Sequence, residues 1–372
     1  MLYPSRLPDF PWDSLIPLRE RARSYPGVVA DLSIGTPVDP SPRVAIEALI
    51  EAADFPGYPP TVGTEHLREA MISWWSRVRG APVSAVLPTI GSKEMVALLP
   101  ALLPVRDGDT VLIPHIAYPT YEVGATLAGA VVHPIDPASD PATWPEASLV
   151  WLNSPANPHG HVLDVDQLVR IVAWARQTGT MIAADECYAS LAWAEPYASR
   201  GVPSLLSEEV SGGDHTGLLA LYSLSKQSNL AGYRAAMIAG DPDIIARLTE
   251  LRKHAGMMIP GPIQHAMAKT LSDDAHVASQ RGVYARRREI LLDAVTAAGL
   301  IPDPDTVAGL YLWLSTDGMG AWDIVSALAD RGILVAPGTF YGPDGARHVR
   351  MALTGTDEAI EAAAERLAAS PL

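Results

Sequence analysis

The chain has 372 residues, of which 48% are hydrophobic, enough to bury a large core in two domains or in one large domain with an appendage. Its formal net charge of -15 at pH 7 argues against binding to nucleic acid or to an anionic membrane, because both partners require a basic surface. A single cysteine excludes an internal disulfide and any multi-cysteine metal site.

The N-terminal stretch, MLYPSRLPDFPWDSLIPLRER, has prolines and charges where a signal peptide requires an unbroken apolar core. Proline, glycine or a charged residue interrupts each apolar window before it is long enough to span a bilayer. Together with the lone cysteine, these features predict a soluble protein of the reducing cytoplasm.

Short apolar runs alternate with helical patterns through the middle of the chain. Runs typical of strands covered on both faces occur at 109–114, 130–135, 148–153, 180–185 and 218–224. Helices are predicted around them at 92–103, 121–129 and 165–179. This alternation predicts an α/β fold with a doubly wound, mostly parallel sheet, in which ligands collect at the carboxyl ends of the strands.

The pattern changes after about residue 280. Further elements are predicted as helices at 276–300, 322–332 and 357–369 and as apolar strand-like runs at 309–315, 333–338 and 348–353. We therefore predict a large domain over 41–280, a smaller α/β domain over 281–372, and an N-terminal segment over 1–40 that packs on the small domain. The arginine run at 286–288 is interpreted as a solvated helix face.

Each strand-like run of the large domain leads into polar residues. Asp185 ends one run and is followed by Tyr188, whereas another run ends at Ser223, Ser225 and Lys226. Similar positions are occupied by Tyr118, by Asn153 and Asn157 in a proline-containing turn, and by Gly91 and Ser92 at a helix start. Each has an ordinary alternative, such as a helix cap, a turn or a solvated loop lysine. Their joint placement at one edge of the sheet favours a common site.

The residue types in this set match the chemistry of pyridoxal 5'-phosphate. Its aldehyde requires an amine, its ring nitrogen a carboxylate, its ring an aromatic neighbour, and its phosphate hydroxyls, helix-terminal N–H groups and an arginine. Lysine occurs only at positions 93, 226, 253 and 269, and arginine supplies the rest of the 27 basic residues. Arginine cannot replace Lys226 in this role, because a guanidinium stays protonated and forms no ordinary Schiff base.

The sequence resembles the fold-type-I pyridoxal-phosphate aminotransferases of the aspartate-aminotransferase-like group. The resemblance extends from DLSIGTPVDP to HVRMALTGTDEAIEAAAERL and rests on SLSK with an arginine eight residues after the lysine, on NPHG and on DECY. It implies that Lys226 is the Schiff-base lysine and general base and that Asp185 pairs with the ring nitrogen. It also implies that Tyr188 and Asn157 bond the 3-oxygen and that Tyr118 stacks on the ring.

The same resemblance implies the remaining contacts of the site. The phosphate would be held by Gly91 and Ser92 at the helix start, the amide of Lys93, Ser223, Arg234 and, as a further contact, Ser225. Tyr58 would reach the phosphate of the neighbouring subunit, which implies a homodimer. Arg350 would bind the substrate α-carboxylate, with the Gly35 backbone and Asn157 nearby. The sequence departs from the family motif at His159, where threonine is more common.

Five longer segments narrow the resemblance to bacterial N-succinyldiaminopimelate aminotransferases. These segments are LPTIGSKEMVALLPALL, HIAYPTYEVGA, SLSKQSNLAGYRA, RKHAGMMIPGPIQ and ILVAPGTFYGPDGARHVR. They imply a reaction between N-succinyl-LL-2,6-diaminopimelate and 2-oxoglutarate in lysine and diaminopimelate biosynthesis. The residues that hold the distal carboxylate and succinyl group are not indicated, and 17–23, 252–258 and Tyr311 are candidates by position only.

Other interpretations stay open at this point. The donor could be acetylornithine, aspartate or an aromatic amino acid, or the cofactor could serve a β-lyase, a decarboxylase or a regulatory module. A general sugar- or nucleotide-binding protein would explain neither Lys226 nor Asp185. The ten histidines show no metal-ligand spacing, so no metal is predicted. Cys187 is interpreted as a packed thiol.

Overall fold

A computed structural model describes residues 7–370 and Leu372, so residues 1–6 of the predicted N-terminal segment lie outside the described residues. The described helices are α1 Ile16–Arg23, α2 Arg43–Glu51, α3 Glu65–Arg79, α4 Ser92–Leu102, α5 Thr120–Leu127, α6 Val165–Thr178, α7 Tyr197–Arg200, α8 Glu208–Ser211, α9 Leu224–Gln227, α10 Pro242–His254, α11 Gly261–Leu271, α12 Ala275–Ala297, α13 Ala321–Ala329 and α14 Asp357–Ala369. Short 3-10 helices occur at Pro11–Leu15, Pro141–Thr143, Gly338–Tyr341 and Pro343–Gly345.

The described strands form three sheets. They are β1 Ala30–Asp31, β2 Val86–Ile90, β3 Thr110–Pro114, β4 Val131–Ile135, β5 Leu149–Asn153, β6 Met181–Asp185, β7 Leu218–Ser223, β8 Ala235–Gly240, β9 Ile301–Pro302, β10 Tyr311–Ser315, β11 Ile333–Leu334, β12 Ala336–Pro337 and β13 His348–Ala352. The largest sheet has the strand order β2-β8-β7-β6-β5-β3-β4. Only β8 runs antiparallel to its neighbours, which confirms the predicted mostly parallel α/β sheet.

The large sheet is covered on both faces, as its near-continuous apolar strands require. Every residue of β5, β7 and β8 is buried. One core cluster contains Trp74, Leu152 and Tyr222, and a second contains Leu99, Trp151 and Leu221. Strands β2 and β8 were not predicted from the sequence.

The register of the central strands brings the predicted site residues to one edge. Asn153 at the end of β5 pairs with Asp185 at the end of β6, and Asp185 pairs with Leu221 on β7. Lys226 lies one short turn beyond β7, in α9. The carboxyl ends of parallel strands therefore carry the amide, the acid and the amine side by side.

The C-terminal part contains a four-stranded sheet of order β12-β13-β10-β9, with antiparallel pairs throughout. Its core includes residues of α12, α13 and α14, together with Leu15, Ala30 and Leu32 from the N-terminal part. Strand β1 pairs in parallel with β11. Within the described residues, no helix is both long and apolar enough to cross a membrane.

The interpretation of the arginine run at 286–288 as a solvated helix face is wrong for its central residue. Arg287 is buried and its guanidinium bonds both oxygens of Asp39 at 2.8 and 2.6 Å. Its Nε also donates to Asp357 Oδ1 at 2.7 Å. Arg287 therefore ties the long helix to the N-terminal segment and to the start of α14.

Candidate active site

A cavity of about 320 Å³ opens at the carboxyl edge of the large sheet. Twelve of the predicted site residues line it, namely Gly35, Ser92, Lys93, Tyr118, Asn157, Asp185, Tyr188, Ser223, Ser225, Lys226, Arg234 and Arg350. Eight further residues line the cavity. Sequence reasoning indicated Asn153 at its strand end and Tyr311 by position, and it missed Phe10, Trp12, Ile34, Thr36, Ala231 and Cys187. The structure thus brings residues from both ends of the chain to one cavity.

Lys226 presents its amine to this cavity from the short helix α9. Its Nζ donates to the backbone carbonyl of Gly35. Burial lowers the pKa of Lys226, and the positive charges of Arg350 and Arg234 lower it further against the opposing effect of Tyr311. A lysine with a lowered pKa has access to the neutral amine, the form that acts as a nucleophile or a base.

Asp185 is a buried acid without a cationic partner. Its side chain is 6% exposed and accepts hydrogen bonds from Tyr121 Oη at 3.1 Å and from the Cys187 amide at 3.1 Å. No lysine, arginine or histidine nitrogen of the described residues lies within 4.0 Å of its carboxylate, and burial raises the pKa of Asp185. A protonated ring nitrogen would supply the missing positive charge, so this residue fits pyridoxal phosphate.

An anion cradle lies in the same cavity as Asp185, at the start of α4. Gly91 has a φ of 75° and Ser92 begins the helix. A Cβ atom at Gly91 would collide with the guanidinium of Arg234, and the Gly91 amide donates to the Arg234 carbonyl at 2.8 Å. Gly91 therefore makes room for Arg234. The helix N-terminus and the cation together suit a phosphate.

Two serine hydroxyls complete the cradle at the end of β7. Ser223 Oγ donates to Ser225 Oγ at 2.8 Å and accepts from the Ser225 amide at 3.1 Å. Both side chains line the cavity, so they lie where the phosphate oxygens of the cofactor would find donors.

Arg350 on β13 is a buried cation without a carboxylate partner among the described residues. It is 2% exposed, and its two terminal nitrogens donate to Asn157 Oδ1 at 2.9 Å and to the Ser33 carbonyl at 2.7 Å. Its Nε has no hydrogen-bond partner within the described part of the chain. The guanidinium is therefore held in place by neutral oxygens and is free to bind a substrate carboxylate.

Four tyrosines surround these charged groups. Burial raises the pKa of Tyr118 to about 12, so its phenol stays protonated. The Tyr188 hydroxyl lies 3.2 Å from the Tyr311 hydroxyl. Tyr121, which sequence reasoning missed, stacks on Trp151 with ring centroids 5.0 Å apart and bonds Asp185.

Two of the predicted site residues do not line the cavity. Gly91 acts through Arg234, as described above. Tyr58 is 98% exposed on the surface of the single chain. Among the positional candidates for the distal group, only Tyr311 lines the cavity, and the segments 17–23 and 252–258 contribute no lining residue.

His159, where the NPHG turn departs from the family motif, lines a second cavity that shares Asn153 with the first. His159 accepts a hydrogen bond at Nδ1 from the His161 amide at 3.2 Å, and burial lowers its pKa to about 3. His161, Asp303 and Asp305 place one possible metal-ligand atom each within 4.8 Å of one another. A 2.9 Å contact between His161 and Asp303 gives both side chains a partner, so these residues need no metal ion.

The fold and this site define a fold-type-I enzyme that depends on pyridoxal phosphate. The family described as aminotransferase class I and II matches residues 28–367, and the chain belongs to it. Transamination of amino-acid and 2-oxo-acid substrates is therefore its reaction class.

Relatives of known name cover nearly the whole chain. A 4-dedimethylamino-4-oxo-anhydrotetracycline transaminase, OxyQ, of Streptomyces rimosus is 51% identical over 97% of this chain and 99% of its own length. A probable aminotransferase, Rv1178, of Mycobacterium tuberculosis is also 51% identical, over 97% of this chain and 85% of its own. An LL-diaminopimelate aminotransferase of Dehalococcoides mccartyi is 31% identical over 91% of this chain and 90% of its own length.

A solved structure supports the same fold. A probable N-succinyldiaminopimelate aminotransferase of Thermus thermophilus superposes with a TM-score of 0.86 at 28% identity, covering 97% of this chain and all of that one. The fold-type-I prediction is confirmed, and so is the cofactor prediction through the family.

Proposed function

We propose that this aminotransferase exchanges an amino group between N-succinyl-LL-2,6-diaminopimelate and 2-oxoglutarate, giving N-succinyl-2-amino-6-oxopimelate and glutamate. This reaction would belong to lysine and diaminopimelate biosynthesis. The observation that carries the proposal is a surplus cation in the cavity. Lys226, Arg234 and Arg350 account for the amine, the phosphate and the α-carboxylate, which leaves Lys93 for a distal anionic group of a long substrate.

Lys93 lies at the aromatic side of the cavity. Its Nζ is 5.5 Å from the centre of the Phe10 ring and 6.0 Å from that of Tyr118. Partial burial and the charge of Arg234 lower the pKa of Lys93, so an anionic ligand would stabilise its charged form. A distal carboxylate meets this requirement.

The other site residues have the following proposed roles. When bound, pyridoxal phosphate supplies a carbonyl that takes up the amino group and a ring that stabilises negative charge at the substrate Cα. Lys226 removes and returns the Cα proton, and Asp185 keeps the ring nitrogen protonated. Tyr188 and Asn157 bond the 3-oxygen, and Tyr118 stacks on the ring.

The remaining contacts hold the two ends of the bound molecules. The phosphate is held by the start of α4, where Gly91 gives Arg234 its place, and by Ser92, the Lys93 amide, Ser223, Ser225 and Arg234. Arg350 binds the α-carboxylate beside Gly35 and Asn157. Its unpartnered Nε and its two fixed terminal nitrogens support this role.

We also propose a homodimer in which Tyr58 reaches the phosphate in the partner's site. Four large side chains in the same part of the chain, Ile46, Ile50, Phe55 and Tyr58, are exposed, and they support this proposal because exposed apolar side chains favour a protein partner. We also propose the domain limits predicted above, with an N-terminal segment over 1–40, a large domain over 41–280 and a small domain over 281–372. The separate core of the four-stranded sheet supports them. The single, free cysteine favours a cytoplasmic location.

A second candidate substrate is a polycyclic aromatic ketone or amine. The 51% identity to a transaminase named for an anhydrotetracycline favours it. So does the wall of Phe10, Trp12, Tyr118 and Tyr311, which could contact an aromatic ring system.

The test compares wild type with Lys93→Met, which keeps the length of the side chain and removes its charge. KM for N-succinyl-LL-2,6-diaminopimelate should rise roughly tenfold or more, corresponding to about 1.4 kcal/mol of lost binding, while KM for an aromatic donor changes little. An equal KM for the dicarboxylate donor in both proteins would contradict the proposed substrate. Lys253→Met, at an exposed position on α10, is the matched control.

A further inference from the structure

Tyr311 on β10 contacts several groups of the site, and the roles proposed above for the amine, phosphate and α-carboxylate contacts do not include it. Its ring lies against the guanidinium of Arg350, with 3.9 Å between the Arg350 Cζ atom and the ring centre. Its hydroxyl lies 3.2 Å from that of Tyr188. One buried side chain thus touches both the proposed carboxylate-binding arginine and a proposed partner of the cofactor oxygen.

Gly35 connects the Tyr311 hydroxyl to Lys226. A Cβ atom at Gly35 would collide with the hydroxyl and lie 2.8 Å from the ring carbons Cε1 and Cζ, so only glycine allows this approach. The carbonyl of the same glycine accepts a hydrogen bond from Lys226 Nζ. The phenol and the amine are therefore packed against one backbone unit.

The charges around Tyr311 make its hydroxyl sensitive to the state of the site. Burial opposes its ionisation, but the positive charges of Arg350 and Lys226 outweigh burial and lower the pKa of Tyr311. The titratable groups that face it are Arg350, Lys226, Tyr188, Asp185, Tyr118, Tyr341 and Tyr284. Burial raises the pKa of Tyr188, whose hydroxyl is within hydrogen-bond distance of the Tyr311 hydroxyl.

We propose that Tyr311 is a positioning residue with two separable parts. Its ring holds the Arg350 guanidinium in the orientation that receives a substrate carboxylate. Its hydroxyl, paired with Tyr188, orders the Lys226 amine against Gly35. This inference rests on the roles proposed above for Arg350 and Lys226.

Two substitutions separate the ring from the hydroxyl. Tyr311→Phe keeps the aromatic face and removes the hydroxyl, and Tyr311→Leu removes both. Maleate, an unreactive dicarboxylate, serves as the probe of Arg350 and is titrated into the cofactor-loaded enzyme. We expect Tyr311→Leu to weaken maleate binding by roughly 10- to 30-fold, the range of a desolvated cation–aromatic contact, and Tyr311→Phe to weaken it less than about 3-fold.

The hydroxyl is tested by a pH titration of the absorbance of the bound cofactor. Because negative charge density on Tyr311 favours a positive charge at Lys226, Tyr311→Phe should lower the titration midpoint by about 0.5 pH unit or more. A merely structural role would leave this midpoint unchanged. Gly35→Ala should displace the hydroxyl and shift the midpoint in the same direction.

The matched control is another arginine–tyrosine pair of the chain. The Arg366 guanidinium lies 4.4 Å from the ring centre of Tyr25, and neither residue lines the cavity. Tyr25→Phe and Tyr25→Leu should change neither measurement. If Tyr311→Leu does not fold, Tyr311→Met replaces it as the variant without a ring.

The outcomes that would contradict this inference differ from those that would contradict the proposed function. Wild-type maleate affinity in Tyr311→Leu, or an unshifted midpoint in Tyr311→Phe, contradicts it, even if glutamate still converts the cofactor. If glutamate does not convert the cofactor in the wild-type enzyme, the proposed function is contradicted instead.

Discussion

Asp185→Asn removes one negative charge from the site with little change of shape. Of the two hydrogen bonds that the carboxylate accepts, asparagine keeps the one from the Cys187 amide, and its amide group can donate to Tyr121 Oη instead. We therefore expect the fold to survive. Without a carboxylate to keep the ring nitrogen protonated, turnover with glutamate and 2-oxoglutarate should fall by about 10² to 10³, which is about 3 to 4 kcal/mol.

Cofactor affinity should fall less than turnover in Asp185→Asn. The phosphate cradle at Gly91 and Arg234 is untouched, and one lost charge-assisted hydrogen bond is worth about 1.5 to 3 kcal/mol. The assay measures kcat under cofactor saturation and the cofactor dissociation constant by fluorescence. A kcat within about 3-fold of wild type would refute the proposed role of Asp185.

In the cofactor-free enzyme the same substitution should be favourable. It should raise the stability of the fold, whereas in the loaded enzyme it lowers turnover. Burial raises the folded-state pKa of Asp185, so the folded chain binds this proton more tightly than the unfolded chain. The group therefore costs stability as pH rises above the unfolded value of about 4. Cofactor-free Asp185→Asn should be more stable than wild type at pH 7 and equal to it near pH 3. Lower stability at pH 7 would contradict the described electrostatics.

Further predictions concern the amine, the cradle and the dimer. Lys226→Ala should abolish turnover and the visible absorbance band of the lysine-bound cofactor, while the circular dichroism spectrum stays unchanged. Full activity of this variant would contradict the assignment of Lys226 as the Schiff-base lysine. Gly91→Ala should raise the cofactor dissociation constant roughly tenfold, because its Cβ would displace the Arg234 guanidinium and its φ of 75° disfavours alanine; an unchanged constant would count against the cradle. Mixing inactive Lys226→Ala with Tyr58→Ala should restore activity through dimers with one intact site, and no restoration would argue against a shared site.

The arrangement at the edge of the sheet could be predicted because it depends on local rules. Apolar runs of six or seven residues predicted β3 to β7, and the carboxyl ends of parallel strands necessarily meet at one edge. Asp185, Asn157 and Lys226 were therefore placed together from their positions after those runs. The structure brings them to one cavity.

Two strands of the large sheet could not be recognised from the same rules. Strand β2 contains Pro88, which favours assignment to a loop, but β2 is an edge strand, where a missing N–H is tolerated. Strand β8 has the sequence AAMIAG, which lacks the β-branched residues typical of strands except for Ile238. Its position between β2 and β7 depends on tertiary pairing.

Residues that enter the site through distant contacts were also beyond local rules. Arg350 bonds the Ser33 carbonyl across 317 positions, and Trp12 lines the cavity from the other end of the chain. Arg287 belongs to a run of three arginines that is typical of a solvated helix face, but it bonds Asp39, which lies 248 positions away in the chain. No periodicity in the sequence indicates such pairs.

The central claim is most directly tested by single-turnover conversion of the lysine-bound cofactor to its amino form. Wild-type enzyme is mixed in turn with N-succinyl-LL-2,6-diaminopimelate, N-acetylornithine, aspartate, glutamate and an aromatic amino acid, and the absorbance change is followed. We predict stoichiometric conversion with glutamate and the highest second-order rate constant with the succinylated donor. Failure of every donor to convert the cofactor would contradict the claim of an aminotransferase, and a faster aromatic donor would contradict the proposed substrate.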